Sequence, residues 1–386
     1  MAELIDDLER RGGDAFSDRP FQELDGALLA RLAYLPFEHT ALAHRSESIR
    51  LAEAAALLLQ TPEAVAHVTQ PKDLQLLDAL VSSARYRGAL LLGLAAHTDT
   101  ETQFSALTLR LAPQLLCLVF RGTDDTLVGW KEDFNMSFRC PVPAQELAAA
   151  YLWDVAAQHT GTLLLCGHSK GGNLAVYAAA NCAPAIQSRI LAVYNYDGPG
   201  FPESVLRQAG YQALCDRVQT FVPQSSVIGM LLGHEERYTV VHSARMGIYQ
   251  HDLYSWDVEN GHFVSLESVN QRSRFIDTTL KAWLASLTPA ERERFIDAVF
   301  YLLAQTNAET LSELSDKWFT NSKTVLRAAK SLDEPTHRAQ QHVVRGPRPA
   351  RGQLGARGAR QQARRAEEHP AGVVGDLQDL RAAELL

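Results

Sequence analysis

No run of about 18 apolar residues occurs in the 386-residue chain, so no helix of it can be written across a bilayer. Positive charge is short as well. The 37 Lys and Arg against 45 Asp and Glu leave a formal charge of −8, which withholds the basic footprint that nucleic acid demands. Cysteine is scarce, with five residues at 117, 140, 166, 182 and 215 and none of the close spacing of a zinc site or disulfide frame. Cys117 and Cys166 lie in apolar runs and read as reduced core thiols, and nothing calls for a metal or cofactor. The stretch from Met1 to Glu9 is acidic where a secretory leader is basic and then apolar, so the expectation is a cytoplasmic protein. From Pro335 onward aromatics and lysine are both missing while Arg, Ala, Gly and Gln dominate. Such a segment cannot bury enough apolar surface to offset its ordering entropy, which predicts a disordered tail over 335–386. Its bias also matches a shifted reading frame of GC-rich DNA.

What is present centres on one stretch. Leu163-Leu164-Leu165-Cys166 reads as a strand buried on both faces, and it stops at Gly167-His168-Ser169-Lys170-Gly171-Gly172 before an Ala-rich helical stretch. That is G-x-S-x-G in a strand–turn–helix setting, the nucleophile elbow. Gly167 and Gly171 permit a turn too tight for side chains, and Ser169 is forced into a strained conformation that presents its Oγ. The N–H of Lys170, at the start of the helix, then points at negative charge developing beside that oxygen. His168 supports the elbow.

Around this stretch the pattern is that of an α/β protein. The apolar spacing from Phe21 to Leu35 predicts an amphipathic core helix, and 51–66 predicts another. Apolar runs at 89–95, 104–111 and 115–120 predict an antiparallel meander. Strands at 190–196, 217–222 and 238–242 then alternate with helices, which predicts a mainly parallel sheet flanked by helices. Thr288-Pro289-Ala290-Glu291 reads as a capping box that opens a late helix. The expected organisation is a hydrolase-like domain over 1–334 with helical decorations at both ends, followed by the tail.

Phe120-Arg121-Gly122-Thr123, then Trp130 and Asp133, then Gly167-His168-Ser169-Lys170-Gly171-Gly172 resemble the class 3, fungal-type lipases. More closely the chain resembles an uncharacterised bacterial family of α/β-hydrolase-like proteins. It shares Phe104-Ser105-Ala106, Arg121-Gly122-Thr123-Asp124, the run Gly129 to Met136, His168 to Leu174, and Gln250-His251-Asp252. The resemblance covers about residues 15–300 and implies an α/β-hydrolase fold with ester- or acyl-cleaving chemistry. It makes Thr123 the second oxyanion donor beside Lys170, and puts Asp124, Trp130 and Asp133 in a flap over the substrate groove. Two departures stand out. Lys170 replaces an apolar residue and adds a cation to the elbow. Where those lipases carry their acid, this chain reads Pro223-Gln224-Ser225-Ser226-Val227, without a carboxylate.

An activated serine needs an imidazole in reach and a partner that fixes its tautomer. In α/β-hydrolases the histidine follows the last strand, which leaves His242, His251 and His262, of which His251 is preferred; His234 reads as surface. Asp197, at the end of the strand after the elbow, is the preferred acid, with the plain alternative that it opens the Gly198-Pro199 turn. Asp257 and Glu235 also stand as candidates, whereas Asp252 is too near His251 in sequence. The resulting expectation is a serine hydrolase acting on a small-molecule or lipid acyl ester. A thioesterase or peptidase with the same triad, and a non-catalytic scaffold on the same fold, are the rival readings.

Overall fold

The computed structural model describes residues 3–44, 47–99, 101–124, 131–133, 135–136, 139–226, 228–229, 232–267 and a few positions between 288 and 301. Trp130, the flap interior at 125–130, Met230, Leu231, most of the late helix and the tail from 335 lie outside these residues, although Thr288 and Glu291 do exchange the bonds of a capping box.

Three extended runs come first: β2 (Leu90–Thr98), β3 (Gln103–Ala112) and β4 (Leu115–Phe120), with a two-residue β1 (Ile49–Arg50) before them. The connections between β2, β3 and β4 are too short for a crossover, so these strands pair antiparallel. β5 (Thr162–His168), β6 (Ile190–Tyr196), β7 (Val218–Pro223) and β8 (Tyr238–Val241) then add one after another in parallel. After the small β9–β10 hairpin (Val258–Glu259 with His262–Phe263), β11 (Ser265–Leu266) closes the far edge antiparallel to β8. Among the described residues the sheet has nine strands and is mixed, with a parallel centre β4–β8 between antiparallel margins.

This strand order has a consequence for the layers. Parallel strands that add monotonically through right-handed crossovers place every crossover helix on the same face. The helices Pro143–Gln158 and Lys170–Asn181 and the short turns at 203–206 and 209–212 all pack there, against Leu116, Leu118, Leu163, Leu165 and Val193. Period-two alternation sends Cys117, Val119, Leu164, Cys166 and Tyr194 to the opposite face, which needs its own cover. The N-terminal helices Leu4–Arg11, Glu23–Leu32, Leu51–Leu59 and Pro71–Ser82 supply it. What reads in sequence as decoration is thus a full layer.

Candidate active site

The C-terminal ends of β4, β5, β6 and β8 converge, because neighbouring parallel strands finish at one rim. At the end of β5 Ser169 has φ 57° and ψ −133°, a left-handed conformation that a side-chain-bearing residue adopts under constraint. The constraint is visible at the glycines. A Cβ on Gly167 would lie 2.2 Å from the Gly171 backbone, and one on Gly171 would lie 2.1 Å from the Phe120 carbonyl oxygen. Gly172 abuts Asn195 Oδ1 in the same way, at 2.0 Å. The helix 170–181 therefore starts hard against β4, β5 and β6, and the N–H groups of Lys170 and Gly171 precede the first turn's bond, which Gly172 makes to the Ser169 carbonyl at 2.9 Å.

Asp197 immediately follows β6, also at positive φ (51°), and its side chain is 1% exposed. One oxygen, Oδ2, lies 2.6 Å from His251 Nδ1. The other, Oδ1, accepts from the Ser226 hydroxyl at 2.5 Å and the Gly229 N–H at 3.1 Å. Two of the residues singled out in sequence, 54 apart, are brought together here. The strand end β7 that lacks a carboxylate contributes Ser226 instead, which orients an acid standing on the neighbouring strand. With Nδ1–H donated to Asp197, the lone pair of the neutral His251 ring sits on Nε2.

His168 lies under His251, ring centroids 4.4 Å apart. Its Nε2 is 2.7 Å from the His251 carbonyl oxygen, which can only accept, and its Nδ1 is 2.9 Å from the Tyr34 hydroxyl. Burial, then the neighbouring His251 and Arg31, push His168 well below the ordinary imidazole range. The ring is therefore neutral, donates through Nε2 and accepts from Tyr34 at Nδ1. It holds the backbone of His251 without adding charge.

Gly122 ends the β4 loop against the elbow: a Cβ there would be 2.5 Å from the His168 carbonyl oxygen and 3.1 Å from Ser169 Cβ. Thr123, next in the chain, donates its hydroxyl to Asp133 Oδ2 at 2.6 Å. Thr123 thus stands one residue past the close approach of Gly122 to Ser169.

The Mbeg1-like family model matches residues 80–301, more than half of the chain and all of the strand ends just described. The chain belongs to the Mbeg1-like family. Among curated proteins none matches. Among solved structures this Mbeg1-like chain is similar to a Rhizomucor miehei lipase in complex with its propeptide, at 11% identity over 72% of this chain and 90% of that one, TM-score 0.37. It is also similar to M37 lipase (15%, 54% and 70%, TM-score 0.36) and to a fungal lipase–inhibitor complex (16%, 40% and 66%, TM-score 0.31). The chain thus spans just under two thirds of the last of these.

Several residues of the Mbeg1-like chain stand elsewhere than sequence suggested. The Lys170 ammonium does not face the elbow as a free cation: it is 1% exposed and bonds Gln103 O and Glu132 Oε2, both at 2.9 Å. Glu132 in turn accepts the N–H of Gln103 and of Ala144, so the pair ties residue 132 to β3 and to the next helix. Asp133, expected on the flap's substrate side, is the acceptor of Thr123, with Lys170 4.0 Å from its second oxygen. The Asp124 N–H meets Gln103 Oε1 at 3.3 Å. His242 bonds Asp257, His262 bonds Glu23, Glu235 accepts from Gln212, and Asp252 caps the turn at Tyr254 and meets Arg245. His234 is not on the surface, its side chain being 7% exposed.

The N-terminal layer, which reads as plain core packing, also reaches the site. Arg31 makes a bidentate pair with Asp73, and Tyr254, three residues past His251, donates to Asp73 at 2.7 Å. Tyr34 adds its bond to His168. A polar residue following an apolar helical stretch is the sequence signal for such a reach, and it is a weak one.

Burial pushes the Asp133 carboxyl up to about 6, against the pull of the Lys170 ammonium and the Thr123 hydroxyl. Between about pH 4, where an unfolded carboxyl ionises, and about pH 6 the folded state keeps a proton that the unfolded chain has lost. Stability conferred by this site is thus expected to fall as pH rises through that window and to level off above it. Asp133→Asn, which never ionises, removes that slope; urea unfolding of both proteins at half-unit steps from pH 4 to 7 checks it.

Proposed function

We propose that this protein is a serine hydrolase of α/β-hydrolase type that cleaves a carboxylic ester, including lipid acyl esters, through an acyl-enzyme on Ser169. The observation that carries the reading is the 2.6 Å contact of Asp197 with His251 Nδ1 at the same sheet rim as a strained serine in G-x-S-x-G. His251 Nε2 takes the Ser169 proton as Oγ attacks the carbonyl carbon. Asp197 holds the tautomer and stabilises the imidazolium that forms. The oxyanion is received by the N–H groups of Thr123 and Lys170. His251 then protonates the leaving alcohol, and a water, deprotonated by the same ring, releases the acid and regenerates Ser169.

The same atoms would serve a thioester or a peptide bond. An ester is preferred because the motifs Phe120–Thr123 and Gly167–Gly172 resemble those of ester-cleaving lipases. Intact-mass measurement after incubation with a fluorophosphonate, alongside a p-nitrophenyl ester series, is the direct test. One adduct on wild type, none on Ser169→Ala, and a loss of at least about 10⁴-fold in ester turnover are expected. Folded wild type that takes no label and turns over no ester in the series contradicts the reading and favours the scaffold alternative.

A further inference from the structure

His234 lies away from the elbow, yet both of its ring nitrogens are committed. Nε2 is 2.7 Å from the Gly229 carbonyl oxygen and Nδ1 is 2.8 Å from Glu236 Oε1. A carbonyl has no hydrogen to give, so Nε2 carries one. Glu236 accepts the Thr220 hydroxyl at Oε1, 2.8 Å, and the Tyr211 hydroxyl at Oε2, 2.5 Å, so its two oxygens face three donors. Burial opposes ionisation of Glu236, but the bond and charge of His234, with the two hydroxyls, outweigh it and bring the carboxyl down to about 2. Both side chains are buried, His234 7% and Glu236 1% exposed.

The residue His234 grips is the one that cradles the acid. The Gly229 N–H donates to Asp197 Oδ1 and to Ser226 Oγ, and Ser226 Oγ donates to the same carboxylate oxygen. No side chain fits at 229, where a Cβ would lie 2.3 Å from Asp197 Oδ1 and 2.8 Å from Val222. A chain of contacts therefore runs from Glu236 through His234 to Gly229, from Gly229 to Asp197, and from Asp197 to His251. The other polar groups around the pair are the Tyr211 hydroxyl from the short helix Ala209–Gln212, Thr220 on β7 with Asn195 of β6 behind it, the Cys215 thiol, exposed Glu235 and, beyond Gly229, Asp197 itself.

We propose that His234 and Glu236 form a buried hydrogen-bonded pair that positions Asp197, acting as an outer member of the catalytic apparatus through Gly229. The proposal rests on the reading of Asp197 and His251 as acid and base.

The positioning role has its own readout. His234→Gln is expected to lower kcat on p-nitrophenyl butyrate about tenfold with KM unchanged, and to broaden or shift the low-field His251 Nδ1–H signal. Tyr211→Phe, which removes one donor from Glu236 and leaves His234 in place, is expected to move the same signal less. Wild-type kcat together with an unmoved His251 signal in folded His234→Gln overturns the role. Should wild type cleave no ester, the hydrolase reading fails, while the His251 signal still decides the coupling of His234 to His251.

Discussion

Asp197→Asn is expected to lower kcat/KM on short p-nitrophenyl esters by about 10³ to 10⁴-fold with the fold intact. An asparagine amide directed at Nδ1 donates where the carboxylate accepts, so His251 flips its hydrogen to Nε2 and has no lone pair for Ser169. The loss then lies in the tautomer rather than in packing, since Asn fills the same volume. His251→Ala removes the base outright and is expected to be at least as severe. The double variant should be no worse than His251→Ala alone, because residues that act as a unit do not add. A loss below about tenfold in Asp197→Asn would transfer the acid role elsewhere. The other carboxylates considered are engaged with different partners: Asp257 with His242, and Glu235 with Gln212.

Lys170→Met is expected to destabilise the protein by about 3–5 kcal/mol, a large fraction of the roughly 5–15 kcal/mol that holds a typical domain together. Met restores the apolar residue that the class 3 lipase elbow carries, and by that resemblance alone the change looks benign. Here it strands Glu132, 1% exposed, with no counter-charge. Adding Glu132→Gln neutralises the stranded charge while keeping an oxygen for one of the two N–H groups, Gln103 or Ala144, and should recover part of the loss. Urea unfolding of wild type, both single variants and the double variant measures the coupling. A Lys170→Met midpoint equal to that of wild type would show that the pair adds no net stability.

Much of the architecture was legible because its causes are local. The apolar runs at 104–111, 115–120, 163–166 and 190–196 are strands in the structure within one or two residues, and the helix after the elbow ends at Asn181 as its composition suggests. The antiparallel start followed from connections too short to cross over. The strain at Ser169 followed from glycines whose absent side chains leave room for backbone atoms about 2 Å away. Spacing alone could rank His251 and Asp197 but could not join them, since their contact depends on which strand ends are neighbours. Lys170 read as an active-site cation because sequence shows its place on the elbow and not the direction of a long side chain. His234 read as surface for a related reason: it meets Gly229 and Glu236, and Glu236 is in turn held by Tyr211 and Thr220 from separate elements.

By itself the sequence determined the α/β class, the elbow and the set of groups able to do chemistry, because backbone strain, strand alternation and turn geometry act over a few residues. Tertiary structure decided the rest. It set the mixed sheet whose uniform crossovers leave one face to the N-terminal helices, and through them brought Arg31 and Tyr34 to the site. It also decided that Ser226 orients a carboxylate on the neighbouring strand, and that the lysine beside Ser169 is spent on an ion pair. These are contacts between residues tens of positions apart, and their energies exist only once the strands have chosen their order.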